Sequence, residues 1–251
     1  MITFVGAGPG APDLITLRGH HALTQADIVI YAGSLVNPKL LEVTKPGCQI
    51  YNSAHMTLEQ VLEVMKEGAE KGLEIVRLHT GDPCIYGAIR EQMDQLDRLG
   101  LSYQVVPGVS SFLGAAAALK AEFTLPDVSQ TVILTRMEGR TPVPEAESIQ
   151  SLAVHKATMV IFLSTGMLEA LSQRLTEGGY EPDTPAAIVY KATWPEEKVI
   201  HTTVKELAQA AQAQDVSKTA LILVGGFLGQ DYSRSKLYDP GFSHEFREAT
   251  R

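Results

Sequence analysis

A chain of 251 residues is long enough for one large domain or two modest ones, each with a proper core. Its 45% hydrophobic and 20% charged residues are those of an ordinary globular protein. A formal net charge of −8 argues against nucleic acid as a partner, because nucleic-acid binders carry basic surfaces; an acidic small molecule stays compatible with it, since a cleft can be basic under an acidic exterior. Two cysteines, Cys48 and Cys84, stand far apart without a disulfide framework or zinc spacing, which fits a reducing compartment. The N-terminus reaches Gly6 with no basic region, so a signal peptide is not expected. No apolar run is long enough to span a bilayer, and the expected location is the cytoplasm, with no membrane partner.

In chain order, residues 2–5 read as a short buried strand, followed by the loop Gly6-Ala7-Gly8-Pro9-Gly10-Ala11-Pro12-Asp13. Thr16 caps a helix running to about Gln25, and residues 28–31 form the next apolar strand. Strand, loop, helix and strand make a βαβ unit and imply a parallel sheet. Residues 37–43 read as a short helix or turn and residues 48–51 as a strand. Thr57 and Gln60 have capping-box spacing, ahead of a helix whose apolar face is Leu58, Val61, Leu62 and Met65. Ile75, Val76 and Leu78 open a further strand, which breaks at Thr80-Gly81-Asp82-Pro83 and gives way to a helical pattern over residues 88–99. The arrangement repeats: residues 103–106 read as a strand, Pro107-Gly108-Val109-Ser110-Ser111 as a loop, and residues 112–120 as an alanine-rich helix. A composition shift over residues 122–129 places a domain boundary after residue 121, giving domains 1–121 and 122–251.

In the second domain, strands are expected over residues 131–135, 158–163, 187–191, 198–203 and 219–225, and helices over 167–177 and 204–213. The loop from Arg136 to Glu145 carries two arginines, and Ala192-Thr193-Trp194-Pro195 turns one strand into an antiparallel neighbour. The tail from Gly229 is polar and aromatic and is expected to pack irregularly.

Two strand–loop–helix connections in succession make a case for a pocket, because small molecules bind open α/β sheets at the carboxyl ends of strands. Gly81 lets a ligand approach the backbone and Asp82 offers a carboxylate there. Cys84, in the same loop, reads as a small buried apolar residue. Gly6, Gly8 and Ala11 fit a dinucleotide fingerprint, but Pro9 and Pro12 remove backbone donors that a pyrophosphate needs, and no acid follows the second strand at Tyr31-Ala32-Gly33. The seven histidines show no metal-ligand spacing, so no metal is expected, and neither a G-x-S-x-G elbow nor a Walker loop is present. The residues alone lead to an α/β enzyme whose nucleotide-like cofactor carries the reactive group.

Four segments carry a resemblance across nearly the whole chain: Val5-Gly6-Ala7-Gly8-Pro9-Gly10, Gly81-Asp82-Pro83, Val106-Pro107-Gly108-Val109-Ser110-Ser111 and Ala220-Leu221-Ile222-Leu223-Val224-Gly225. With them the chain resembles the tetrapyrrole methylase superfamily. Residues 133–144, the segment Tyr190-Lys191-Ala192-Thr193-Trp194-Pro195 and the tail over 231–247 look like its precorrin-4 C-11 methyltransferases, the tail like those of the cobalt-dependent, oxygen-independent route to cobalamin. The resemblance implies two α/β domains, an N-terminal parallel sheet and a C-terminal mixed one, with the active-site cleft between them, and a homodimer. It implies S-adenosylmethionine as methyl donor and the corrin precursor cobalt-precorrin-4 as acceptor. Donor-binding positions of the family transfer onto Pro9, Thr80, Gly81, Asp82, Ile85, Ser110, Ser111, Ser164 and Ala192. The aspartate proposed as a base in uroporphyrinogen-III methyltransferase, just after the second strand, has no counterpart, so no catalytic base is assigned.

The acceptor's carboxylates need cations, and Arg136, Arg140 and Lys191 are the candidates; their bland reading is a solvated or structural charge. The alternatives are methylation of metal-free precorrin-4 or of another ring position, a nicotinamide-dependent oxidoreductase suggested by the glycine loop, and a non-catalytic tetrapyrrole carrier.

Overall fold

The computed structural model describes residues 1–250, the side chain of Ser34 excepted. Two compact units result. The first comprises Met1–Ala115 together with Ala192–Pro195; the second comprises Ala116–Lys191 and the chain from Glu196 onward.

In the first unit, β1 (Ile2–Gly6), β2 (Ile28–Tyr31), β3 (Gln49–Asn52), β4 (Ile75–His79) and β5 (Tyr103–Val106) form one sheet in the order β3-β2-β4-β1-β5. Every neighbouring pair is parallel. A parallel sheet is covered on both faces, and its three inner strands, β2, β4 and β1, are accordingly buried along nearly their whole length, while the edge strand β3 is not. Val5, Val29, Val76 and Leu78 share one apolar cluster with Leu23 of α1 (Leu17–Gln25). Phe4, Ile28, Ile30 and Ile75 share another with Val61 and Met65 of α2 (Leu58–Glu70) and Leu96 of α3 (Arg90–Arg98). The expected caps are present: Thr16 accepts the Gly19 N–H at 3.1 Å, and Thr57 and Gln60 form the reciprocal capping box.

Two expectations need correction here. The helix anticipated from residue 88 begins at Arg90, because Tyr86 and Ala88 both adopt left-handed backbone, with φ of 55° and 49°. Gly87 is required between them, since a Cβ there would meet the Pro83 carbonyl. Cys84, read as buried, is exposed; partial burial and the adjacent Asp82 carboxylate push its thiol pKa up, away from a reactive thiolate.

Helix α4 (Ser111–Leu119) follows β5 and leads into the second unit. There, β6 (Val132–Arg136), β7 (Thr158–Phe162), β8 (Pro185–Tyr190), β9 (Lys198–Thr203) and β10 (Ala220–Val224) form a sheet in the order β6-β7-β10-β8-β9. Only β6 and β7 run parallel; the other pairs are antiparallel, so the sheet is mixed as expected. Met159, Ile161, Ile188 and Ile222 pack on α5 (Ile149–Ala153), α6 (Leu168–Glu177) and α7 (Leu207–Ala213). Helix α5 was not anticipated. Leu163 was expected at the end of a buried strand but is 66% exposed at φ 53°, because the chain leaves the sheet one residue earlier.

Candidate methyl-donor site

Strands β4, β1 and β5 are neighbours and parallel, so their carboxyl ends and the loops that follow lie on one edge. The pairing continues past the strands. Ala7 N–H donates to the His79 carbonyl at 2.7 Å, and Gly8 and Gly81 exchange both backbone bonds, at 3.2 and 2.9 Å. This close approach leaves no room for side chains. A Cβ on Gly6 would lie 2.5–2.6 Å from backbone atoms of Gly108 and Gly81. One on Gly108 would meet the Gly81 carbonyl oxygen and lie 2.7 Å from the Gly6 Cα. Gly81 itself sits at φ 61°, with Ser111 N 3.3 Å and Ser110 Cα 3.4 Å from its would-be Cβ. Three glycines at the ends of three strands therefore interlock backbone against backbone.

Asp82 clamps the arrangement. Its Oδ2 accepts the Gly108 N–H and its Oδ1 the Cys84 N–H, each at 2.8 Å. Sequence reasoning saw a carboxylate offered to a ligand; in the structure one oxygen orders Asp82's own loop and the other ties it to the loop of Gly108, although each keeps a lone pair. Ile85 closes the turn, its N–H donating to the Asp82 carbonyl at 3.3 Å. Buried Ser110 starts α4, accepting the N–H of Leu113 at 3.0 Å and of Gly114 at 3.3 Å on its carbonyl. Pro9 is buried, with its Cβ 2.8 Å from where a Cβ on Gly114 would stand. Ala192, 6% exposed, belongs to the same unit.

The Thr80 hydroxyl is buried at the end of β4 with no hydrogen-bond partner among the described residues, and so is Nε2 of His79. A buried hydroxyl without a partner costs about 1–3 kcal/mol, so one at a strand end fits a site that receives a polar group. The Gly81 and Gly108 backbone beside it carries no side chain that could supply the missing partner. His79 is a different case. Burial, aided by the Arg77 charge, pushes its pKa down to about 3, and its ring stacks on Phe4 with centroids 6.2 Å apart. It is a neutral core histidine at physiological pH. Arg77, also buried, donates to Gln92 Oε1 and to the Ile30 carbonyl, each at 3.1 Å, and Gln92 in turn donates to the Ala88 carbonyl at 3.0 Å. That chain ties the loop after Asp82 to the sheet.

Of the donor-site candidates, Pro9, Thr80, Gly81, Asp82, Ile85, Ser110, Ser111 and Ala192 all lie in the first unit. Ser164 lies in the second, fully buried, where its hydroxyl donates to the Phe162 carbonyl at 2.7 Å and accepts the Met137 N–H at 2.9 Å. Among the cation candidates of the second unit, Arg136 turns its guanidinium onto its own loop, donating to the carbonyls of Met137 at 3.1 Å, Thr141 at 3.2 Å and Pro142 at 2.8 Å. Lys191 Nζ lies 3.4 Å from the Glu196 carboxylate and 5.7 Å from the centre of the Tyr190 ring, and Arg140 is exposed. Sequence reasoning missed Asn37, read only as part of a turn. It is buried, and its amide donates to the Gly10 carbonyl at 2.8 Å, holding the first glycine loop. Among the described residues no helix is long and apolar enough to cross a membrane.

Known proteins share this architecture. A cobalt-precorrin-4 C(11)-methyltransferase of Methanocaldococcus jannaschii is 52% identical over 249 residues, spanning 99% of this chain and 96% of its own. The X-ray structure of a cobalamin biosynthetic enzyme, cobalt precorrin-4 methyltransferase, superposes with a TM-score of 0.89 at 48% identity, covering 91% of this chain and 96% of that one. The uroporphyrin-III C-methyltransferase of Thermus thermophilus, solved in complex with S-adenosyl homocysteine, superposes with a TM-score of 0.75 at 26% identity, covering 90% and 92%. The family profile of the tetrapyrrole (corrin/porphyrin) methylases matches residues 1–208, and the chain belongs to that family.

Proposed function

We propose that this protein transfers a methyl group from S-adenosylmethionine to C-11 of cobalt-precorrin-4, in the oxygen-independent formation of cobalamin. The observation that carries the reading is the 52% identity, over 99% of this chain, to the Methanocaldococcus jannaschii protein named for that reaction. Support for the donor comes from the family, from the Thermus thermophilus relative solved with S-adenosyl homocysteine, and from the unpartnered Thr80 hydroxyl beside the interlocked glycines.

When bound, S-adenosylmethionine supplies a methyl group already activated by its sulfonium. The chain has to hold it, aim it and exclude water, and correct alignment alone supplies much of the acceleration. Thr80 Oγ1 and the backbone of Gly81, Asp82, Ser110 and Ser111 hold the donor, with Pro9, Ile85 and Ala192 as apolar walls; Ser164 contributes through its backbone. Asp82 keeps the two loops in register by its bonds to Gly108 and Cys84. Arg140 and Lys191 meet carboxylates of the macrocycle, and Arg136 fixes the loop that presents Arg140. The protein works in the cytoplasm as a homodimer, a state that sedimentation would report as twice the 27.2 kDa chain mass.

The test is a single-turnover incubation with anaerobically prepared cobalt-precorrin-4 and methyl-labelled S-adenosylmethionine. A product carrying one label, located at C-11 by NMR, is the expected result. A label at another ring carbon, or transfer to metal-free precorrin-4 alone, would contradict the assignment.

A further inference from the structure

The tip of the β8–β9 connection, residues 192–195, sits with the first unit although the strands on either side belong to the second. Getting it there bends the chain sharply: Lys191 and Thr193 both occupy the left-handed region, at φ 46° and 68°. Neither is a residue type that visits this region readily, so the conformation is strained and has to be held by what it contacts.

What it contacts is the first glycine loop. Thr193 Oγ1 accepts the Ala11 N–H at 2.9 Å, and the indole Nε1–H of Trp194 donates to the Pro9 carbonyl at 3.2 Å. The Trp194 ring lies against Gly10 so closely that a Cβ there would run into it, and the Thr193 methyl is 3.2 Å from where a Cβ on Gly114 would stand. The Gly10 carbonyl is taken by the Asn37 amide at 2.8 Å. Thus three consecutive residues, Pro9, Gly10 and Ala11, each have a backbone group bound by a side chain from a distant part of the sequence. Two of those three side chains are Thr193 and Trp194. The loop's own backbone contributes less here than elsewhere, because the prolines at 9 and 12 have no N–H; its flanks are tied by the Gly8–Gly81 pair and by the Leu14 N–H on the Ala11 carbonyl at 3.1 Å.

We propose that Thr193 and Trp194 are positioning residues for methyl transfer: they set the conformation of the Pro9–Gly10–Ala11 loop and, through Pro9, the orientation in which the methyl donor is held. This deepens the function proposed above and rests on it. A loop that is free to move by an ångström still binds the donor but aims the methyl group poorly, and misalignment of that size costs up to about a hundredfold in rate. A merely structural role would instead lower stability and leave the rate of the folded fraction alone.

The test compares wild type, Thr193→Val, Thr193→Ser and Trp194→Phe. Donor affinity is measured by calorimetric titration of S-adenosylmethionine, rate by single turnover at saturating donor, and folding by thermal melting. The expected result is a tenfold or greater fall in single-turnover rate for Thr193→Val and Trp194→Phe, scored on protein with a wild-type melting profile, with recovery in Thr193→Ser, which keeps the acceptor oxygen. Wild-type rates in both Thr193→Val and Trp194→Phe would overturn the proposal while leaving the donor assignment intact. Failure of the wild type to bind S-adenosylmethionine would overturn the donor assignment itself, and this role with it. If Trp194→Phe does not fold, the Thr193 pair decides alone.

Discussion

The two regions that matter most in this chain are built in opposite ways. At the ends of β4, β1 and β5 the first unit packs backbone on backbone, and the positions that allow it have to be glycine. After β6 the second unit builds its loop around one side chain, Arg136, whose guanidinium gathers three carbonyls. The first kind of site tolerates no added atom and so leaves a strict mark in the sequence. The second tolerates many sequences around one arginine, and an arginine that organises a loop looks the same in sequence as one that awaits a carboxylate.

The sharpest way to break this contrast is to add one methyl group to each loop. Gly108→Ala puts a Cβ against the Gly81 carbonyl and should cost about 3 kcal/mol and abolish donor binding, as read by thermal melting and calorimetry. Gly139→Ala, whose Cβ would stand at an ordinary 3.7 Å from Met167, should change stability by no more than about 0.5 kcal/mol and leave donor binding alone. Equal effects would remove the distinction.

The next effect comes from pH and belongs to the first unit. His79 has a folded pKa of about 3 against an ordinary 6.5. Between those values the unfolded chain takes up a proton that the folded chain refuses. Stability is therefore full above pH 6.5 and falls as the pH drops toward 3, by about 1.4 kcal/mol per pH unit. Urea midpoints at pH 7, 5.5 and 4.5 should show this slope in wild type and a flatter one in His79→Gln; identical slopes would assign the acid sensitivity elsewhere.

Arg136→Ala should come third. It loses three partly exposed hydrogen bonds, lowers stability by about 1 kcal/mol and weakens macrocycle binding, while donor affinity stays at the wild-type value. Equal loss of both affinities, or of neither, would refute that division. Thr80→Val should have the smallest effect on folding, because it deletes a hydroxyl that has no partner among the described residues. Stability should be unchanged or slightly higher and donor affinity about tenfold lower, in line with one lost hydrogen bond; unchanged affinity would show that the hydroxyl faces no ligand.

The same contrast explains what could be read from the sequence. The strands of the first sheet and the Thr57–Gln60 capping box were legible because apolar runs and caps are local signals. The glycine loops were legible as strand–loop–helix connections because Gly81 and Gly108 each follow a strand and precede a helix. The loop over residues 83–89 was misjudged: Tyr86 and Ala88 take left-handed backbone that no local preference announces. Helix α5 is five residues long among polar neighbours, too short for a periodic pattern. Leu163 is apolar but exposed, and its side chain gave the wrong sign. Asp82 drew attention as a carboxylate at a strand end, but its bond to the Gly108 N–H could not be read locally, because Gly108 is 26 residues away. Thr193 and Trp194 meet partners more than 180 residues away, and nothing local in their turn points there.

The central claim is that the methyl donor is held at the carboxyl ends of β4, β1 and β5. The most direct test is a crystal structure of the protein soaked with S-adenosyl homocysteine. The account predicts the product bound against Thr80, Gly81 and Asp82 on one side and Ser110 and Ser111 on the other, with a hydrogen bond to Thr80 Oγ1. Density for the product at any other place, with Thr80 Oγ1 still lacking a partner, would contradict it.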